Sequence, residues 1–122
     1  MEVKENILKI KSFTFAIRIV KLYTHQCETK KEYLLSKQCL RSGTCVGAMI
    51  REAEYASSKA DFIHKMTIAV KEINETIYWL DLMTETKLLD IKLHVSLNQD
   101  AEEILKLLIA SIKTAKKNLK SQ

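Results

Sequence analysis

Proline is absent from the 122 residues and glycine occurs only twice. Turn-rich β-sandwiches and barrels need both at their corners, so those folds are excluded. No uninterrupted apolar run exceeds four residues, as in Leu107 to Ala110. A membrane-spanning helix needs about 20 apolar residues and a signal-peptide core about 7–15, so neither is expected. The three cysteines, Cys27, Cys39 and Cys45, are odd in number and show no C-x-x-C spacing. They suggest no disulfide framework. Cys39 and Cys45, among small or apolar neighbours, read as buried thiols of a cytoplasmic protein. Acidic residues are missing from 104–122, which carries five lysines.

What remains is 47% hydrophobic with a formal charge of +5, enough apolar material for the core of one domain spanning 1–122. Four segments show helical periodicity, at about 5–27, 30–57, 59–87 and 91–119. In the first, Ile10, Phe13, Ile17, Val20, Thr24 and Cys27 share one face and are the expected inward stripe, with Ile7, Phe15 and Ile19 off that row. The second opens on Thr29-Lys30-Lys31-Glu32, a capping-box pattern, and its stripe is Leu35, Cys39, Ser42, Val46, Met49, Ala53 and Ala56. The third opens at Ser58 with Asp61 in the first turn, and its stripe is Ile63, Met66, Val70, Ile73, Ile77, Leu80 and Thr84. The fourth follows Asp90, a good N-cap, and its stripe is Leu97, Ala101, Ile104, Leu108, Ser111 and Ala115. Ile91, Leu93 and Val95 alternate like a strand, which leaves Asn98 as a second candidate start.

Every stripe averages a step of 3.5 residues, the repeat of left-handed coiled packing. Short connections force neighbouring helices to run antiparallel. The expected fold is all-α, an up-down-up-down antiparallel four-helix bundle. Apolar residues also lie beside the stripes, among them Leu34, Leu40, Ile50, Phe62, Trp79, Leu105 and Ile109. A lone bundle needs about three inward positions in seven. The surplus predicts a homo-oligomer interface.

Gly43 and Gly47 stand four apart inside the second segment. Each costs a helix about 1 kcal/mol relative to alanine. With Ser42, Thr44 and Ala48 they make a smooth patch for close helix contact, within the bundle or between subunits. A helix break near Ser42 is the other reading. No G-x-x-x-x-G-K-[ST] is present, so a phosphate loop is not supported.

Leu40-Arg41-Ser42-Gly43-Thr44, Ile50-Arg51-Glu52-Ala53, Ser58-x-x-Asp61-Phe62-Ile63 and Glu75-Thr76-x-Tyr78-Trp79-Leu80 follow in order. This pattern resembles the small bacterial four-helix bundle protein family, first noticed as reading frames in intervening sequences of large-subunit ribosomal RNA genes. The similarity runs from Lys11 to Leu119. It implies an up-down bundle assembled in a ring, commonly a pentamer, with no known enzymatic activity. A distant branch includes nucleic-acid-binding accessory proteins of diversity-generating retroelements. The sequence departs from the family pattern at Cys45, where serine is usual, at Met49, where asparagine is usual, and at Glu54.

Residues 1–103 hold 15 basic and 15 acidic side chains, so the whole excess lies in the last helix. Lys113, Lys116, Lys117 and Lys120 share one helix face, and Lys106 precedes them. Lysines suit a helix C-terminus through the dipole. Repeated around a ring, they would also form a belt able to contact RNA or DNA phosphates. The tail has no aromatics, so binding there is expected to follow the backbone and ignore sequence.

Catalytic signals are thin. Asp61-x-x-His64 occurs once and Glu72-x-x-Glu75 adds two acids, short of the paired E-x-x-H set of di-metal bundles. No G-x-S-x-G is present. No catalytic residue, metal or cofactor is expected. Glu75, Tyr78 and Trp79 lie close together; Trp79 is expected to fill the oligomer interface with Tyr78 at its rim, and a buried Glu75 would need Arg41 or Arg51 as partner. The expectation is a non-catalytic oligomer whose partners are itself and RNA or DNA, with Gly43, Gly47, Tyr78 and Trp79 at the interface. The alternative is a ring-shaped protein scaffold without nucleic acid, accessory to a mobile element.

Overall fold

A computed structural model describes residues 3–120, and side chains from residue 6 onward. Residues 1, 2, 121 and 122, the ends of the expected domain, lie outside the described residues. Four helices follow one another: α1 (Val3–His25), α2 (Leu34–Ala53), α3 (Lys59–Glu85) and α4 (Ile91–Lys120). Each packs on its neighbours in cyclic order, α1 on α2, α2 on α3, α3 on α4 and α4 back on α1. The fold is an all-α four-helix bundle.

The helix ends have local causes. At its C-terminus α1 widens into a π-helical turn, Gln26–Lys30, closed by Lys31 in the left-handed region at φ 55°, whose N–H donates to the Gln26 carbonyl. Gln26 is buried, and its amide donates to the Leu88 carbonyl at 2.8 Å, tying this turn to the α3–α4 connection. Thr29 therefore sits in the π turn and caps nothing, which corrects the expected capping box. The cap of α2 is Glu32: its carboxylate accepts from the Leu35 and Ser36 amides at 2.8 Å each and from the Ser36 hydroxyl at 2.6 Å. Ser58 caps α3 by accepting from the Asp61 amide at 3.0 Å, while Asp61 accepts from the Ser57 amide at 3.1 Å. Asp90 caps α4 by accepting from the Lys92 and Leu93 amides at 3.1 and 3.4 Å. The strand-like alternation of Ile91, Leu93 and Val95 thus lies within regular helix.

The core holds Leu8, Phe15, Ile19, Val46, Met66, Ile73, Leu80, Leu97, Ile104 and Leu108, all fully buried. Three inward stripes follow expectation, but α1 does not. Its buried row is Leu8, Ser12, Phe15, Ile19, Leu22 and Gln26. The row read as inward is exposed: Ile10 at 60%, Phe13 at 55%, Ile17 at 43% and Val20 at 46%. Two members of the buried row are polar, Ser12 and Gln26. Ser12 is small because α2 comes close at Gly47, and Gln26 is polar because it bonds Leu88. The uniformly apolar row of α1 faces outward.

Candidate functional site

The chain presents three features able to meet a partner: the outer row of α1, a groove beside it, and the lysine-bearing end of α4. The α1 row lies on the α2 side of its helix, since Phe13 sits beneath Arg51 of α2, whose guanidinium carbon is 5.7 Å from the ring centroid. The other flank of α1 is polar and meets α4. There Arg18 donates to Asp100 at 2.6 Å and to Ser96 at 2.9 Å, and Lys11 pairs with Glu103. The α1–α2 flank thus carries the apolar surplus, and the α1–α4 flank carries the Arg18–Asp100 and Lys11–Glu103 pairs.

A groove of about 700 Å³ runs along the α1–α2 side to the start of α3, floored by Phe13, Ala16, Gly47 and Ala48 and rimmed by Arg51 and Tyr55. Two of its other cations are neutralised locally. Lys9 pairs with Glu54 at 3.1 Å, and Lys65 lies 3.8 Å from Glu52 and 3.7 Å from Asp61.

The expected interface residues fall in different places. Gly43 is buried beneath Ile19, so it serves the chain's own α1–α2 contact and offers no surface to another copy. Gly47 lies against Ser12 and lines the groove. Trp79 is half-buried, packed on the core, and its indole donates to Glu75 at 3.0 Å. Tyr78 is exposed and meets Trp79 edge-on, with ring centroids 5.1 Å apart. Arg41 is the partner of Glu75, and it also bonds Glu72 at 3.0 Å. The Trp79 hydrogen bond holds the Glu75 carboxyl below the usual glutamate range; partial burial opposes this and Arg41 reinforces it.

The lysines of the C-terminal half of α4 are all exposed: Lys106, Lys113, Lys116, Lys117 and Lys120. Antiparallel topology sets this end of α4 beside the start of α1, the end of α2 and the start of α3, where Lys59 is also exposed.

No group of three or more histidine, cysteine or acidic side chains among the described residues stands close enough to hold a metal. Asp61 is engaged with Ser57 and Lys65, and His64 is exposed. Burial pushes the Cys39 thiol up to about 12 and raises Cys45 as well, so neither is a nucleophilic thiolate near neutral pH. No helix of the described residues is long and apolar enough to cross a membrane.

Fold and surface together define an all-α four-helix bundle with an apolar row on α1 and a lysine-rich end of α4 left exposed. Residues 4–110 match the family described as 23S rRNA-intervening sequence protein, and the chain belongs to that family. It is similar in structure to a protein of unknown function from the S23 ribosomal protein family of Bacteroides thetaiotaomicron VPI-5482. The two are 53% identical, with a TM-score of 0.90 over 91% of this chain and 99% of the other. Among curated proteins there is no match to this chain.

The outer row of α1 is legible as apolar in the sequence, and its exposure corrects the expectation that it faces the core. The signal that could have separated the two rows is Phe15 and Ile19, which share a face with Leu8 and Leu22 at helical spacing.

Proposed function

We propose that this chain acts without chemistry of its own, as a homo-oligomeric bundle that binds the phosphate backbone of RNA or DNA. The resemblance to ring-forming bundles suggests five copies. The observation that carries the nucleic-acid reading is the exposed lysine face of α4, Lys113, Lys116, Lys117 and Lys120, with no acid in 104–122. In an oligomer each copy adds such a face, and counterion release makes affinity climb steeply with the number of phosphates met. The exposed apolar row of α1 supports assembly, because each such side chain left wet forgoes about 1.5–3 kcal/mol of burial.

The test is a salt titration with mixed-sequence RNA and DNA. With six or more phosphate contacts, affinity falls about a thousandfold between 50 and 200 mM salt. Reversing the four lysines to glutamate weakens binding and flattens that slope. Binding unchanged by the reversal rejects the assignment. Absence of binding at low salt favours a protein scaffold instead.

A further inference from the structure

The end of the bundle far from the α4 lysine face holds a second cavity, of about 530 Å³. Three segments meet there: the end of α1 with its π-helical turn, the α3–α4 connection, and the first turn of α4. Their junction is fixed from within. Buried Gln26 donates to the Leu88 carbonyl at 2.8 Å, and the Leu88 and Leu89 amides both donate to the Met83 carbonyl, at 2.8 and 3.1 Å. The floor is apolar, formed by Leu88, Leu89 and Leu93, which all pack on the core. The mouth is polar and exposed. His25, Thr29 and Lys30 stand on the α1 side, and Lys87 stands on the α3–α4 side.

The cavity wall carries one carboxylate, Asp90, and it is engaged by the Lys92 and Leu93 amides of α4. Lys30 and Lys87 have no acidic partner among the described residues. Two lysines against one carboxylate leave the wall net positive before His25 is counted. Glu32 is bound to the first turn of α2, and Glu28 and Glu85 stand outside the cavity, as do Lys31 and Lys92. His25 Nδ1 lies 3.3 Å from Thr29 Oγ, which sets the imidazole beside a hydroxyl able to donate to the same ligand. Lys87 is held in left-handed backbone at φ 62°, where glycine is the less strained residue. Residues kept in sparsely populated backbone regions cluster at ligand clamps, and π-helical turns recur at functional sites. Here both features border one cavity.

We propose that this cavity binds a small phosphate monoester with an apolar ring as its body. Lys30, Lys87 and His25 hold the phosphate, and the ring lies on the leucine floor. The charge and the donor types select this class. A lysine ammonium binds phosphate as a point charge, whereas a lone carboxylate is best met by the planar fork of arginine, and no arginine lines the cavity. A phosphate dianion also calls for more than one cation, which the two sides of the mouth supply. The volume lies within the range of about 300–1,000 Å³ usual for small-molecule sites. The site is independent of the lysine face at the other end of α4, so either can stand without the other.

The test is a titration followed by amide NMR shifts, with phenyl phosphate as probe and phenol and benzoate as controls. Phenyl phosphate is expected to shift the amides of His25–Lys30 and Lys87–Leu89, and to bind at least about tenfold more tightly than either control. Lys30→Ala and Lys87→Gly each weaken it about tenfold or more. Lys87→Gly does so while unfolding at higher urea than the unaltered chain. Binding and stability then move in opposite directions at one residue, which a purely structural lysine does not produce. Lys87→Gln, which removes the charge and keeps the length, gives the same loss of binding. No shifts at millimolar phenyl phosphate, or shifts confined to 106–120, overturn the site. Benzoate binding as tightly as phenyl phosphate overturns the ligand class. Undiminished binding by Lys87→Gly overturns the role of that lysine and with it the proposal.

Discussion

Ile19 occupies the space where residue 43 would carry a side chain. A Cβ at Gly43 would lie 2.9 Å from Ile19 Cγ2 and 3.4 Å from its Cβ. Ile19 is β-branched and fully buried, so it has little freedom to yield. At Gly47 the nearest atoms are Ser12 Oγ at 3.4 Å and its carbonyl oxygen at 3.5 Å, close to ordinary contact.

The two glycines therefore respond in opposite directions to the same change. Gly43→Ala loses about 1–3 kcal/mol to overpacking, which exceeds the propensity gain of about 1 kcal/mol. Gly47→Ala keeps most of that gain and stabilises by about 0.5–1 kcal/mol. Urea unfolding of the two variants beside the unaltered chain measures both. Equal effects would refute the packing account of Gly43.

Glu32 anchors the start of α2. Partial burial pushes its carboxyl upward, but hydrogen bonds from the Ser36 hydroxyl and from the Leu35 and Ser36 amides outweigh that and hold it below the ordinary range. A lowered pKa in the folded state means stability present above the unfolded value and lost as pH falls through the folded one. Glu32→Ala is expected to cost about 1 kcal/mol at pH 7. The difference from the unaltered chain shrinks below about pH 4. Thr29→Ala, by contrast, leaves α2 unaffected.

Trp79 reports on Glu75, since it is the single tryptophan and donates to that carboxylate. The indole and Arg41 both favour the charged form. Tryptophan emission is expected to stay constant down to the ordinary glutamate range, about pH 4.3, and to change only below it. Glu75→Gln removes that acid transition. A transition at or above the ordinary range would contradict the geometry.

Two lysines hold left-handed backbone, Lys31 at φ 55° and Lys87 at φ 62°. A side chain there costs about 1 kcal/mol, which glycine avoids. Lys31→Gly and Lys87→Gly are each expected to raise stability by about 0.5–1 kcal/mol, read as a higher urea midpoint with an unchanged slope. Their effects add, because the changes sit in separate connections.

Much of the architecture is legible from spacing and caps. The Ser58 and Asp90 signals mark the starts of α3 and α4, and the stripes of α2, α3 and α4 fall largely on buried or half-buried positions. Helix α1 was legible only in part. Its outer row is as apolar as a core row, and its true core row carries Ser12 and Gln26, whose reasons for being polar lie on α2 and in the α3–α4 turn, far away in sequence. The cap of α2 was missed for a local reason: Glu32 reaches forward to the Leu35 and Ser36 amides and takes the place of the threonine the pattern named. The lysine face was legible because it depends on composition and spacing alone, whereas the outward turn of the α1 row needed the packing of α2 and α4 around that helix.

The central claim is that the outward apolar row of α1 is covered by another copy. Light scattering of the unaltered chain at micromolar concentration tests it most directly. The account predicts a particle several times 14.1 kDa that falls apart when Phe13 becomes glutamate. A particle of 14.1 kDa, with or without that substitution, would contradict it.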